Sequence, residues 1–211
     1  MGATEGQGLE ARIRAASEAG DRKGAATALL EGYGHELLAF LIAHLRDRDA
    51  AAEVFSQFTE DLWRGLDGFR WQCSARVWSY TLARNAATRY LKDARRRQGR
   101  HVPLSRAGPL SGVAQKVRTE TLAALRTETR TGLEKLRESL RPEEQTLLVL
   151  RVNRKMNWNE IAQVLLHEGE VAAGDVLRKD AVRLRQRYQA IKDKLRRMAA
   201  EQGLVVPDEG E

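Results

Sequence analysis

Residues 74–97 read SARVWSYTLARNAATRYLKDARRR. Ser74 is a residue type whose hydroxyl accepts a hydrogen bond from a free N–H at a helix start. After it, Val77, Trp78, Leu82 and Tyr90 or Leu91 recur at helical spacing and form one apolar face. No glycine or proline interrupts the stretch. It reads as one long helix with a strongly basic end. Arg89, Lys92, Arg95, Arg96, Arg97 and Arg100 outnumber Asp93 by five.

The same period continues on the N-terminal side. Residues 50–64 carry Ala51, Val54, Phe55, Phe58 and Leu62 on one stripe. Glu53, Gln57, Glu60 and Asp61 lie off it, and Asp47 or Asp49 suits the cap. Residues 25–46 place Leu29, Leu30, Tyr33, Leu37, Phe40, Leu41, His44 and Leu45 on a core face, with Gly32 and Gly34 as candidate interruptions. Farther upstream a weak helix is expected over 9–19, broken at Gly20-Asp21, and residues 1–8 read as disordered. On the C-terminal side, Gly99, Pro103, Gly108, Pro109 and Gly112 break the pattern, so 98–116 reads as a linker. A polar helix is expected over 117–139. Another starts at Pro142, where proline suits the first turn. Asn157 caps a short helix from Trp158, and a connection over 168–179 precedes a last helix from Asp180 to Glu201. No β-alternation of any length occurs. The expected fold is all-α, as two small helical domains on a flexible linker. The parts are an N-terminal extension 1–24, a domain 25–97, the linker 98–116, a domain 117–202 and a tail 203–211.

Composition narrows the chemistry. The 211 residues hold 36 Lys and Arg against 29 Asp and Glu, a net charge of +7. A basic surplus favours a polyanionic partner, nucleic acid first. The single cysteine excludes an intramolecular disulfide framework and any multi-cysteine metal centre. No apolar run is long enough to span a membrane, and no secretory leader pattern opens the chain. A soluble, cytoplasmic protein without membrane contact is therefore expected. His167-Glu168 lacks the second histidine of a zinc helix, and no P-loop, dinucleotide fingerprint or nucleophile elbow occurs. No metal, cofactor or catalytic centre is expected. Cys73 reads as a small loop filler rather than a redox sensor.

Two constellations point to nucleic acid. Between residues 181 and 197, seven Lys and Arg face one Asp, beside a stripe of Val182, Tyr188, Ile191 and Leu195. Preceded by a short apolar helix, this has helix–turn–helix character. Such a helix either enters a major groove or is simply a solvated basic face. The second constellation is the loop Phe69-Arg70-Trp71-Gln72-Cys73. Rings beside a guanidinium suit stacking of unpaired bases, or else they plug the end of a small core.

At this point a resemblance becomes specific. DAAAEVFSQFTEDLWRGLDGFR (49–70) and SARVWSYTLARNAATRYLKDARRR (74–97) resemble region 2 of the extracytoplasmic-function sigma factors of bacterial RNA polymerase. LRPEEQTLLVLR (140–151) and NWNEIAQVL (157–165) resemble region 4 of the same family. The resemblance implies docking of the 50–64 helix on a polymerase coiled coil through Glu53, Gln57, Glu60 and Asp61. It implies capture of a flipped minus-ten base by Phe69, Leu82 and Asn85, with Arg70 and Trp71 in the same loop. Arg76, Arg84 and Arg89 become candidates for phosphate contacts, and Trp78 is assigned to the core. Trp71 stands where the family usually has a small residue, often glycine. Arg183, Arg185 and Arg187, with Lys192 on a phosphate, are the candidates for minus-thirty-five duplex DNA. The segment LHEGEVAAGDVLRKD (166–180) replaces the family's short turn. The partners implied are core RNA polymerase and promoter DNA, with an anti-sigma factor as a further candidate. The alternative is a stand-alone helix–turn–helix transcriptional regulator.

Overall fold

The computed structural model of the chain describes residues 3–96, 108–127, 136, 138–167 and 171–203. Every element among them is helical, with no strand, so the fold is all-α. The chain runs α1 (Ala3–Glu18), α2 (Arg22–Leu45), α3 (Arg48–Gly65), a 3-10 turn (Leu66–Gly68), α4 (Ala75–Arg96) and α5 (Ser111–Thr127). It continues with α6 (Pro142–Leu148), a π turn (Val149–Asn153), α7 (Trp158–Leu166) and α8 (Gly174–Glu201). Parts of the expected linker (98–107), of the 117–139 helix (128–135 and 137), of the 166–180 segment (168–170) and of the tail (204–211) lie outside the described residues. So do Arg97 and Arg100 of the basic cluster.

Local chemistry accounts for most helix starts. Asp21 Oδ1 accepts from Gly24 N–H at 2.8 Å and opens α2. Asp47 accepts from Asp49 and Ala50 N–H at 2.9 and 3.0 Å and opens α3. Ser74 Oγ accepts from Val77 N–H at 3.2 Å. Asn157 and Glu160 form a reciprocal capping box at α7.

Helices α1 to α4 share one core. Phe40, Phe55, Phe58, Tyr80, Leu37 and Leu62 are fully buried within it. The α4 face turned inward differs from the expected one. Ala75, Val77, Tyr80, Ala83, Ala86 and Ala87 are buried, Trp78, Leu82 and Tyr90 only partly, and Leu91 is exposed. Four of these six buried positions are alanines, where α4 meets α2 and α3, and Tyr80 is the one large side chain among them.

Four further expectations are corrected. Residues 3–8 are helical, continuous with a turn anchored by Leu9 and Ile13, both buried among the residues of α2. Gly32 and Gly34 do not interrupt α2. They let neighbours approach: a Cβ at Gly32 would stand 2.1 Å from Leu9, and one at Gly34 3.0 Å from Val117. The helix expected from residue 117 starts at Ser111, inside the stretch read as linker, because Leu110, Ala114 and Val117 are buried against α2 and α3. The last helix starts at Gly174 rather than Asp180, so the connection after α7 spans 167–173.

The C-terminal helices pack on the same body. α6 lies against α2, and α7 against α4. His44 Nδ1 and Thr146 Oγ1 are 3.0 Å apart across the first contact. Arg154 approaches Glu36 at 3.9 Å. One apolar cluster runs from Leu9 through Leu147, Leu150 and Ile161 to Ile191.

Candidate nucleic-acid interface

The loop after the 3-10 turn is built around stacked rings. Phe69 lies nearly parallel to Trp78, with centroids 4.5 Å apart and an interplanar angle of 16°. Trp71 tilts onto Phe69 at 4.7 Å. The Arg14 guanidinium sits 5.5 Å from the Trp71 ring, within cation–π range. Trp71 has φ of 56°, in the left-handed region. Glycine takes that conformation freely, and a bulky residue there costs about 1–2 kcal/mol. This is the physical reason a small residue is expected at this position. The Phe69 ring and the Arg14 guanidinium are the neighbours of Trp71 in this conformation.

A cavity of about 450 Å³ opens beside the stack. Phe69, Arg70 and Leu82, three of the expected base-capture residues, line it together with Trp78. Trp78 thus both borders the core and faces this space. Asn85 is one turn beyond Leu82 on α4. Its Oδ1 is buried and has no hydrogen-bond partner among the described residues, an acceptor that remains unsatisfied. Gln163 of α7 and Val171 close another side of the cavity. Neither was expected there, since only the tertiary packing of α7 brings them to the loop. Burial foremost, then the negative charge of Glu10, pushes the Cys73 thiol up to about 11. It therefore stays protonated near neutral pH, as a loop filler would.

The expected phosphate contacts are differently placed. Arg76 forms a bidentate pair with Glu36, at 2.7 and 2.8 Å, and is largely covered. This engages the donors a phosphate would need. Arg89 pairs with Asp61. That ion pair joins a residue expected to face polymerase to one expected to face DNA. Glu60 accepts from Arg64 at 3.1 Å. Glu53, Gln57, Glu60 and Asp61 are all half-buried on α3.

On α8, Arg183, Arg185 and Arg187 are exposed and Lys192 half-buried. Arg183 donates to Asp180 at 3.2 Å, and Asp180 also meets His167 Nε2 at 3.0 Å. Lys192 approaches the Tyr188 ring at 5.2 Å, and Arg185 the Trp158 ring at 6.0 Å. Lys194 donates to Glu144 at 2.9 Å and ties α8 to α6. Burial alone would raise the Glu144 carboxyl. The bonds from Lys194 and the Arg141 N–H outweigh it and hold the group at about 2. Among the described residues no cluster of His, Cys, Asp or Glu is arranged for a metal ion. No described helix is long and apolar enough to cross a membrane.

The fold and the loop define an all-helical protein whose aromatic loop leads into a helix with a basic end. Residues 29–97 match the family model described as Sigma-70 region 2. The matched stretch, about a third of the chain, runs from within α2 to the end of α4. No curated protein and no solved structure matches the chain.

Proposed function

We propose that the chain is a sigma factor of the extracytoplasmic-function type, which binds core RNA polymerase and directs promoter recognition and minus-ten melting. The observation that carries this reading is the region 2 match across α2 to α4, with its aromatic loop bordering a cavity. Flipping a base out of a duplex costs a few kcal/mol. Stacking against an aromatic returns about 1–3 kcal/mol per base, and an edge bond to an unsatisfied acceptor adds to that. Phe69, Leu82 and Asn85 are assigned to base capture, with Arg70 on the same cavity and Trp71 against Phe69. Arg84 and Arg89 are assigned to the backbone, and Arg76 to holding the α2–α4 contact from which phosphate contact would have to release it. Glu53, Gln57, Glu60 and Asp61 form the polymerase-facing side of α3. Arg183, Arg185, Arg187 and Lys192 on α8 are assigned to minus-thirty-five DNA. In this reading the protein is not an enzyme; the chemistry belongs to the polymerase. The division into a region 2-like and a region 4-like domain belongs to the same proposal, as does any role for an anti-sigma factor.

The reading requires the chain to open. Two promoter elements about 25 base pairs apart are separated by roughly 85 Å. Helices in contact lie about 10 Å apart and rise 1.5 Å per residue. With α7 on α4 and α8 on α7, the arginines of α8 stay within about 50 Å of the loop. The packed arrangement is then the free form, and engagement of both elements parts α7 from α4.

Reconstitution tests the proposal. Core polymerase plus the purified chain should give runoff transcripts from a genomic template library, and core alone should not. Tight duplex binding by the chain alone, without transcription, would instead favour the stand-alone regulator.

A further inference from the structure

Helix α1 reaches the start of α4 across the fold. Glu10 Oε2 accepts from Ala75 N–H at 2.8 Å, and Oε1 accepts from Arg76 N–H at 3.0 Å. These are first-turn N–H groups of α4 with no partner inside that helix. A carboxylate there also meets the positive end of the helix dipole. Tyr33 O–H donates to the same carboxylate at 2.8 Å. Burial first, and Glu10 second, push the Tyr33 phenol up, so it remains a donor. One turn along α1, Arg14 lies over Trp71 at 5.5 Å. Two successive turns of α1 therefore hold both ends of the Trp71–Ala75 segment. Leu9 and Ile13, each directly before one of these two residues in sequence, are buried and anchor α1 to α2.

We infer that Glu10 and Arg14 are positioning residues for base selection: α1 braces the loop so that Trp71 keeps its left-handed backbone and the ring stack keeps its place at the cavity. A strained backbone persists only where its surroundings over-determine it. Here the constraints come from Phe69 below, Arg14 above and the Glu10-capped start of α4 on the C-terminal side. The inference rests on the minus-ten reading proposed above and assigns the N-terminal segment a part in it.

The test uses holoenzyme reconstituted from core polymerase and the full chain. The probe is a fully randomised single-stranded 12-mer DNA library, with the bound fraction sequenced. Wild type should enrich defined bases at one or more positions relative to core alone. Arg14→Ala should weaken that enrichment roughly two- to fivefold, the size of a lost cation–π contact at a partly exposed ring, with unchanged affinity for core and an unchanged melting temperature. Glu10→Ala should flatten it further, and Glu10→Gln, which retains an acceptor, should recover part of it. A wild-type profile in both Arg14→Ala and Glu10→Ala overturns the inference. If Glu10→Ala fails to fold, Arg14→Ala decides alone, because its side chain is exposed. Should Asn85→Ala abolish enrichment while Arg14→Ala and Glu10→Ala keep it, the brace falls and the minus-ten reading stands. Should wild type enrich nothing beyond core alone, both fall together.

Discussion

At the scale of single residues, burial and backbone conformation decide what each side chain contributes. Ile13 is fully buried although it lies in a segment whose sequence reads as peripheral. Truncating a buried isoleucine removes its transfer energy and leaves a cavity. Ile13→Ala should therefore cost about 2–5 kcal/mol in urea denaturation. Val182→Ala, at a position 51% exposed, should stay within about 0.5 kcal/mol of wild type. A small effect at Ile13 would show that α1 is dispensable to the core. Trp71 teaches the complementary lesson. Its departure from the glycine usual at that position is visible in the sequence, but the left-handed backbone that explains the preference is not.

At the scale of elements, four helix starts with a local mark were legible and helix contacts were not. Asp47, Ser74, Asn157 and Pro142 mark starts because capping is a local matter of a few side-chain atoms. The start of α5 at Ser111 has no such mark. Its first turns gain their stability by burying Leu110, Ala114 and Val117 on distant helices. The Glu144–Lys194 pair is likewise tertiary, since fifty positions separate its members. Because the Glu144 carboxyl is held at about 2, below its ordinary 4.5, the α6–α8 contact is fully stabilised above 4.5. That contribution declines as pH falls from 4.5 towards 2. Lys194→Met removes part of the depression, so acid unfolding followed by circular dichroism should begin at higher pH. An unchanged acid transition would mean that the pair contributes nothing.

At the scale of the whole molecule, the packed arrangement buries groups that an open one would release. His44 stacks on Phe40, meets Thr146 of α6, and is pushed below its ordinary 6.5 by burial and then by Arg84, with Glu143 opposing. A histidine kept neutral by packing costs nothing above 6.5. As pH falls below 6.5, protonation increasingly favours the form in which it is exposed. Spin labels on α4 and α7 of the free chain should report a short distance at pH 8 and a growing long-distance population as pH drops below 6.5. His44→Gln should remove that dependence. In promoter-bound holoenzyme the same labels should move apart whatever the pH. A short distance retained on the promoter would contradict the proposed opening.

Legible in the residues alone were the all-helical class, the starts of α3, α4, α6 and α7, the basic end of α4, the aromatic loop and the region 2 resemblance. All of these depend on residues within a few turns of one another, where periodicity and capping act. Packing between distant helices set the rest: that Tyr80 and four alanines of α4, and not Trp78 or Leu82, lie deepest in the core, that α1 caps α4 through Glu10, that Asp61 pairs with Arg89, and that α7 closes one side of the loop cavity. Those outcomes depend on which surfaces meet across dozens of residues. Burial of apolar area, the force that joins them, is non-directional: it marks a helix face as apolar but does not say which distant face will cover it.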